Sequence, residues 1–228
     1  QGRSRAMVVG ATGWIGWVCA RMLAMVAEDL YMVSPETAKL LALKESILAE
    51  TPDAQLHLSA RTDRGIGEVD MIVTATSGAG KKVLDIMRVK PGCVITDVAR
   101  PLDLPPGEVA RRPDVLVIES GEIQLPGRVQ MKNIGLPKNV VFACLAETIV
   151  LALEGRFENF TVGRQIEWER VREIYRLGLK HGMKLAAISG VNGPFSDADI
   201  RRVRRLALAA RAAGKPVPRR HARPRRRA

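Results

Sequence analysis

The chain has 228 residues, of which 46% are hydrophobic, enough for one large domain or one domain with an appendage. Its formal net charge is +12, yet the eleven arginines and one lysine from Ile200 onward equal that whole excess, and no acid accompanies them. The first 199 residues are therefore electrically balanced. No run of about 18 apolar residues appears, which excludes a spanning helix, and no charged-then-apolar leader opens the chain. Cys19, Cys93 and Cys144 show no paired or metal-like spacing, the pattern of a reduced, cytoplasmic protein with no metal site. The sequence opens on Gln1 rather than Met, with a strand pattern already at Ala6. That points to a trimmed longer protein or an incomplete gene model.

In chain order, Ala6-Met7-Val8-Val9-Gly10 is a short apolar run ending at glycine, as a buried strand does. Helical apolar spacing follows from Ile15 to Ala27. Asp29 to Ser34 reads as a second strand, Thr37 to Leu48 as a second helix, and Gln55 to Leu58 as a weaker third strand. Asp70 to Thr76, Cys93 to Val98 and Val115 to Ile118 are further buried strands. Strands alternating with helical or loop segments, joined by right-handed crossovers, predict an α/β fold. The expected form is a doubly wound, mostly parallel sheet of the Rossmann type with a C-terminal helical segment.

After Gly135-Leu136-Pro137 the pattern changes. Val140 to Leu153 reads as an apolar helix with no strand behind it. Glu167 to His181 is amphipathic, with Trp168, Val171, Ile174, Tyr175 and Leu179 on one side. Ser196 to Ala213 is a last helix, with Ser196 as its N-cap and Asp197 and Asp199 in its first turn. The expected division is a dinucleotide-binding domain over 1–139, a helical segment packed on it over 140–213, and a disordered basic tail over 214–228. From Lys215 onward there are three prolines and seven basic residues.

Between the first strand and first helix, Gly10-Ala11-Thr12-Gly13-Trp14-Ile15-Gly16 spaces its glycines G-x-x-G-x-x-G. The first makes a tight turn, the second lets backbone approach a pyrophosphate, and the third permits close helix–sheet packing. The helix N-terminus then presents amides and a positive dipole end to phosphate. A tight turn with no ligand is the plainer alternative. This context predicts a nicotinamide dinucleotide, with NADP preferred.

The end of the second strand, Ser34-Pro35-Glu36-Thr37-Ala38-Lys39, leaves the cofactor ambiguous. Glu36 favours NAD, whereas Ser34, Thr37 and Lys39 suit a 2′-phosphate. Glu36 and Lys39 can equally just open a solvated helix. Thr74-Ala75-Thr76-Ser77-Gly78 closes the fourth strand with small residues, leaving room for the nicotinamide and its ribose. Asp97, ending the next strand, either faces the same crevice or caps a loop.

Cys144 falls near the start of the Val140 helix, where the dipole favours a thiolate. A thiolate beside a nicotinamide can attack an acyl thioester and hold the acyl group for hydride transfer. The alternative is an inert small hydrophobe, the reading given to Cys19 and Cys93.

These stretches resemble the aldehyde-forming long-chain fatty acyl-(acyl carrier protein) reductases and their bacterial relatives. The resemblance runs from Ala6 to Ala187, through Val8–Gly16, Asp97 to Pro101 and Phe142-Ala143-Cys144-Leu145-Ala146-Glu147. It continues through Leu153-Glu154-Gly155-Arg156, Asn159-Phe160, Gly163-Arg164 and Lys180-His181-Gly182. It implies that Cys144 takes the acyl group from an acyl carrier protein or coenzyme A. It also implies NADPH at Gly10, Gly13 and Gly16, and a fatty aldehyde as product. His181 matches a family position but reads as a capping or core histidine. Two departures stand out. Pro35 replaces an arginine common in relatives, and the preceding domain that helps build their acyl pocket is not in this sequence, so the cofactor domain can be present while acyl reduction is feeble or lost.

A shikimate-dehydrogenase-like or glutamyl-tRNA-reductase-like enzyme, sharing only the cofactor domain, is the rival reading. A catalytically silent nucleotide-binding module is another. The arginine-rich end can attract an acidic carrier protein, a membrane surface or nucleic acid by electrostatics. It lacks aromatic interleaving, so no specific nucleic-acid binding is expected, and a solvated extension without a partner is the plainest account.

Overall fold

In the computed structural model, residues 4–78, 82–163 and 166–214 are described. The apolar run Ala6–Val9 forms β1, buried at all four positions, in the middle of the main sheet. On one side lie β2 (Leu30–Val33) and then β3 (Leu56–Ser59). On the other lie β4 (Met71–Thr74), β5 (Val94–Asp97) and β6 (Leu116–Glu119). These six strands pair in parallel. The order 3-2-1-4-5-6 reverses between β1 and β4, which opens a crevice at the carboxyl ends of the strands.

Both faces of this sheet are covered, which is why its strands read as continuous apolar runs rather than alternating ones. Ala6 and Val8 point to one face, where α1 (Trp14–Ala24) and α2 (Thr37–Glu50) bring Trp17, Ala20, Leu40, Leu43 and Ile47. Met7 and Val9 point to the other, packing with Ile72, Ile86, Ile95, Leu104 and Val117. A single 3-10 turn at Ile86–Arg88 and a short helix, α3 (Pro106–Ala110), lie in the crossovers on that side of the order reversal. Each such side chain fully buried contributes about 1.5–3 kcal/mol. The chain is thus an α/β protein with a Rossmann-type, mostly parallel sheet.

Beyond β6 the fold departs from the sequence expectation. Val140 to Leu153 is not one helix. It begins as a strand, β8 (Val140–Phe142), and turns at Phe142 into α4 (Ala143–Leu153). Two β-branched residues and an aromatic suit extended backbone, and Phe142 keeps φ −66° and ψ 147° as the cap of α4. The strand pairs with β7 (Glu122–Gln124), which also pairs with β9 (Lys184–Leu185), giving a second, antiparallel sheet. The boundary expected at 139/140 therefore falls between two strands that pair with each other. A hairpin of β10 (Ser189–Gly190) and β11 (Gly193–Pro194) returns to the main sheet and adds antiparallel strands beside β6.

α5 (Trp168–Lys180) and α4 close over the small sheet around Leu125, Val141, Ala146, Val150 and Met183. Arg21 of α1 reaches this layer by donating to the Ile166 carbonyl at 2.7 Å. Arg100 donates to the Ser120 carbonyl at 3.0 Å, and its guanidinium lies 5.6 Å from the Phe142 ring centroid. α6 (Asp197–Ala212) starts in a reciprocal cap. The Asp199 amide donates to Ser196 Oγ at 3.2 Å, and the Ser196 amide donates to Asp199 Oδ2 at 2.9 Å. Near its end Arg211 donates to the Pro91 carbonyl. Gly214 follows this helix; the expected basic tail from Lys215 onward, and Arg164, lie outside the described residues. Among the described residues no helix is long and apolar enough to cross a membrane.

Candidate functional site

The glycine turn sits at the order reversal of the sheet. Gly10 has φ +81°, and a Cβ there would come within 2.6 Å of the Ala75 carbonyl oxygen, so both conformation and space require glycine. A Cβ on Gly16 would meet the Gly10 carbonyl oxygen at 2.1 Å, which places α1 directly against the turn. Gly13 differs. A Cβ there would find Gly10 and Ala75 oxygens at 3.3 and 3.6 Å, so its missing side chain leaves the approach to the backbone open. Gly13 is the N-cap of α1 and no side chain caps that helix, so its first amides remain for an anion. Around this turn is a crevice of about 900 Å³, lined by Gly10, Thr12 and Gly13, by the end of β2 and the loop after β3, and by Ala75, Thr76 and Ser77 after β4. The glycine cradle and uncapped amides fit a dinucleotide pyrophosphate.

At the end of β2 the polar groups close on themselves. The Glu36 amide donates to Ser34 Oγ at 3.2 Å, Ser34 Oγ lies 2.7 Å from Thr12 Oγ1, and Thr12 Oγ1 donates to Glu36 Oε2 at 2.7 Å. With the Thr12 proton spent on Glu36, Ser34 is the donor to Thr12. Lys39 pairs with the other oxygen of Glu36. Ser34 and Lys39 line the crevice, but their polar groups already serve Thr12 and Glu36.

The remaining predicted residues divide. Ala75, Thr76 and Ser77 line the crevice, and the Thr76 amide and hydroxyl both donate to the carboxylate of buried Asp103. Thr74 and Asp97 do not line it. They are register partners on β4 and β5, with relative exposures of 0% and 1%. Asp97 accepts from the amides of Ala99 at 3.1 Å and Leu104 at 3.0 Å, and so caps the loop after β5. Burial pushes its carboxyl up from the usual range, while those amide bonds pull the other way. Ala11 and Gly16 are buried in helix–sheet packing.

Trp14 and Ile15 point away from the crevice, at 56% and 55% exposure, into a second, mainly apolar cavity of about 610 Å³. Cys144 lines this cavity. As the second residue of α4 it is exposed, whereas Cys93 is buried and Cys19 only partly accessible. Burial pushes the Cys19 thiol up to about 11 and the Cys93 thiol up to about 12, which keeps both protonated near neutrality. Ile123, Val150, Ile174 and Met183 supply apolar wall from the small sheet, α4 and the α5 region. Glu147, one turn beyond Cys144, also faces this cavity, and its carboxylate accepts from the Thr161 amide at 3.2 Å and from the Thr161 hydroxyl.

Sequence reasoning missed Glu147, although its three-residue spacing from Cys144 on a helix places the two on one side. It also missed Arg61, which lines the crevice from the loop after β3 and gave no signal beyond being basic. Much of the family-like pattern proves to be architectural. Glu154, the C-cap of α4, lies 2.7 Å from Lys180 Nζ and 2.5 Å from His181 Nε2, locking α4 to α5. Phe160 is buried between the guanidinium groups of Arg156 and Arg170, 4.7 and 5.2 Å from its ring centroid.

No protein-family model matches the chain. It is 32% identical over 181 residues to aminotransferase PigE of Serratia sp., a match covering 77% of this chain and 21% of that protein. It is 28% identical over 193 residues to the long-chain acyl-[acyl-carrier-protein] reductase of Synechococcus elongatus, covering 80% of this chain and 53% of that one. The chain thus spans about a fifth and about half of these curated relatives. Among solved structures, shikimate 5-dehydrogenase from Listeria monocytogenes, in complex with shikimate and NAD, superposes with a TM-score of 0.43 at 19% identity. That match covers 51% of this chain and 45% of the dehydrogenase. Quinate dehydrogenase from Corynebacterium glutamicum, in complex with NAD, gives 0.42 at 17%, with coverages of 51% and 44%.

Proposed function

We propose that this chain is the cofactor- and thiol-bearing part of an oxidoreductase that uses NADPH to reduce a long-chain acyl thioester to a fatty aldehyde. The observation that carries this reading is the position of Cys144: an exposed thiol at a helix start, on the wall of an apolar cavity whose other wall begins at Trp14, next to the dinucleotide turn. The likeness to an acyl reductase over most of the chain supports it. Residues 1–139 would hold the dinucleotide and 140–213 would carry the nucleophile.

In this reading Gly10 to Gly13 and the first amides of α1 hold the pyrophosphate, and the apolar cavity takes the acyl chain out of water. Cys144 Sγ attacks the acyl carbonyl carbon. The new carbon–sulfur bond replaces the one to the carrier, and the carrier thiol leaves with the proton that Cys144 gave up. A thioester is exchanged for a thioester, so the step is nearly balanced, and the gain is positional. When bound, reduced nicotinamide supplies a hydride. With that hydride delivered, Cys144 would leave the acyl carbon as a thiolate and the acyl group would be released as aldehyde. The carrier is an acyl carrier protein or coenzyme A.

Incubation with a long-chain acyl thioester, without NADPH, is expected to add one acyl mass to the protein. Cys144→Ser abolishes that adduct, because an alkoxide is far harder to form than a thiolate near neutral pH. Cys19→Ser and Cys93→Ser keep it. An adduct surviving Cys144→Ser, or aldehyde formation that never needs the thiol, overturns the reading.

A further inference from the structure

Rossmann-type sites tell NADP from NAD at the end of the second strand, where an acid binds the ribose hydroxyls or a base accepts the 2′-phosphate. Here that position is already engaged. Glu36 accepts from Thr12 and pairs with Lys39, and the Ser34 hydroxyl is turned to Thr12. The acid and the base of this strand end offset each other.

The next loop offers a different balance. β3 lies beside β2 in parallel, with Val33 opposite Ser59 and the Ser34 amide bonded to the Ser59 carbonyl at 3.1 Å, so the two loops share one edge of the crevice. Arg61 lies two residues further on. Its backbone is clamped by Ser59 Oγ, which accepts from the Arg61 amide at 3.1 Å and donates to the Arg61 carbonyl at 2.6 Å. Its guanidinium contacts Asp63 through Nη2 at 2.9 Å, and the other oxygen of Asp63 holds Arg88 Nη1 at 2.7 Å. Two guanidinium groups thus share one carboxylate, and Arg61 meets it through Nη2 alone. The Arg61 side chain is 65% exposed, so its bond to Asp63 is screened and readily exchanged.

We infer that Arg61 is the specificity-determining residue for a 2′-phosphorylated dinucleotide, acting from the third strand in place of the second. A phosphate dianion matches the fork of a guanidinium in geometry and charge. This inference rests on the dinucleotide reading of the crevice, and concerns which nucleotide is held rather than what is reduced.

The test is calorimetric titration of the chain with NADPH and with NADH, which differ only in the 2′-phosphate. NADPH is expected to bind about tenfold tighter or more. In Arg61→Ala the two affinities should come within about twofold of each other, with NADH binding unmoved. Arg61→Lys should fall between, since an ammonium supplies charge without the fork. The exposed site predicts unchanged melting temperatures for both variants, which separates loss of recognition from loss of fold. Equal binding of the two nucleotides by the wild type, or an undiminished preference in Arg61→Ala, overturns the inference while leaving a dinucleotide site standing. Binding of neither nucleotide overturns the dinucleotide reading and this inference together.

Discussion

Gly13 lines the crevice and its neighbour Trp14 lines the cavity, and the two chambers separated by that peptide are built by different means. The crevice is made largely of backbone and small side chains at the ends of parallel strands, and its shape follows from glycine positions and sheet order. The cavity is made of side chains from α1, the small sheet, α4 and α5, segments that lie far apart in the chain. A chamber of the first kind is sensitive to single added carbon atoms. One of the second kind tolerates many substitutions but depends on how several elements dock.

The sharpest break in this comparison comes from Gly16. Gly16→Val puts a Cβ on the Gly10 carbonyl oxygen, where backbone cannot yield. A destabilisation of about 4 kcal/mol or more is expected, read as a collapsed urea midpoint, because helix and turn are forced apart. Gly13→Val separates fold from function in the same loop. Its Cβ would meet the Gly10 carbonyl oxygen at 3.3 Å, a tight contact that a shift of a few tenths of an ångström relieves, so the melting temperature should fall far less than for Gly16→Val. Dinucleotide affinity should nevertheless fall about tenfold or more, because backbone approach is blocked. Unchanged affinity in Gly13→Val by titration calorimetry would place the cofactor elsewhere.

The cavity answers differently. Gly178 lies inside α5 on the cavity wall, and a Cβ there would meet only Met183 Cβ at 4.0 Å. Gly178→Leu should therefore raise stability by about 1 kcal/mol through helix propensity. It should also slow acylation by long-chain thioesters more than by short ones, since the added side chain occupies acyl space. A variant more stable than the parent and equally fast with long chains would show that the cavity is not used.

The smallest expected effect is a shape of pH dependence. Hydrogen bonds from Lys180 and then His181 hold the Glu154 carboxyl below its usual range. A depressed folded value means that the group stabilises the protein above the ordinary carboxylate range, and that this contribution is lost as pH falls through the folded value. Glu154→Gln should therefore melt earlier than wild type near neutrality, and the two should converge in acid. Parallel melting curves at all pH values would show that the clamp does not depend on ionised Glu154.

How much of this was legible in the sequence follows the same division. Strands such as Ala6–Val9 announce themselves because both faces of the sheet are covered, and the glycine turn does so because its spacing is local. β7, Glu122-Ile123-Gln124, carries one apolar residue and leaves no run to detect. β8 was hidden for the opposite reason, since Val140 to Leu153 stays apolar across the change from strand to helix. β10 and β11 are two residues each, too short for a period of two to register. Thr74 and Asp97 were placed at the correct strand ends, but only register decides that both are buried rather than turned to the crevice. Arg61 became visible once β3 was seen beside β2, a fact of topology rather than of local pattern.

The bond network at Glu154 has a mechanical side. α4 is anchored there to α5, while Cys144 stands ten residues away, about 15 Å along the helix axis. At its other end α4 runs on directly from β8, and the Ala143 amide donates to the Gly121 carbonyl at 2.8 Å, so the Glu154 clamp is one of two anchors. Tilting α4 by about 4° around that anchor would swing the thiol by about 1 Å, the displacement at which a positioned reaction begins to fail. The aim of the proposed nucleophile thus depends on both anchors, one of them ten residues away from the thiol.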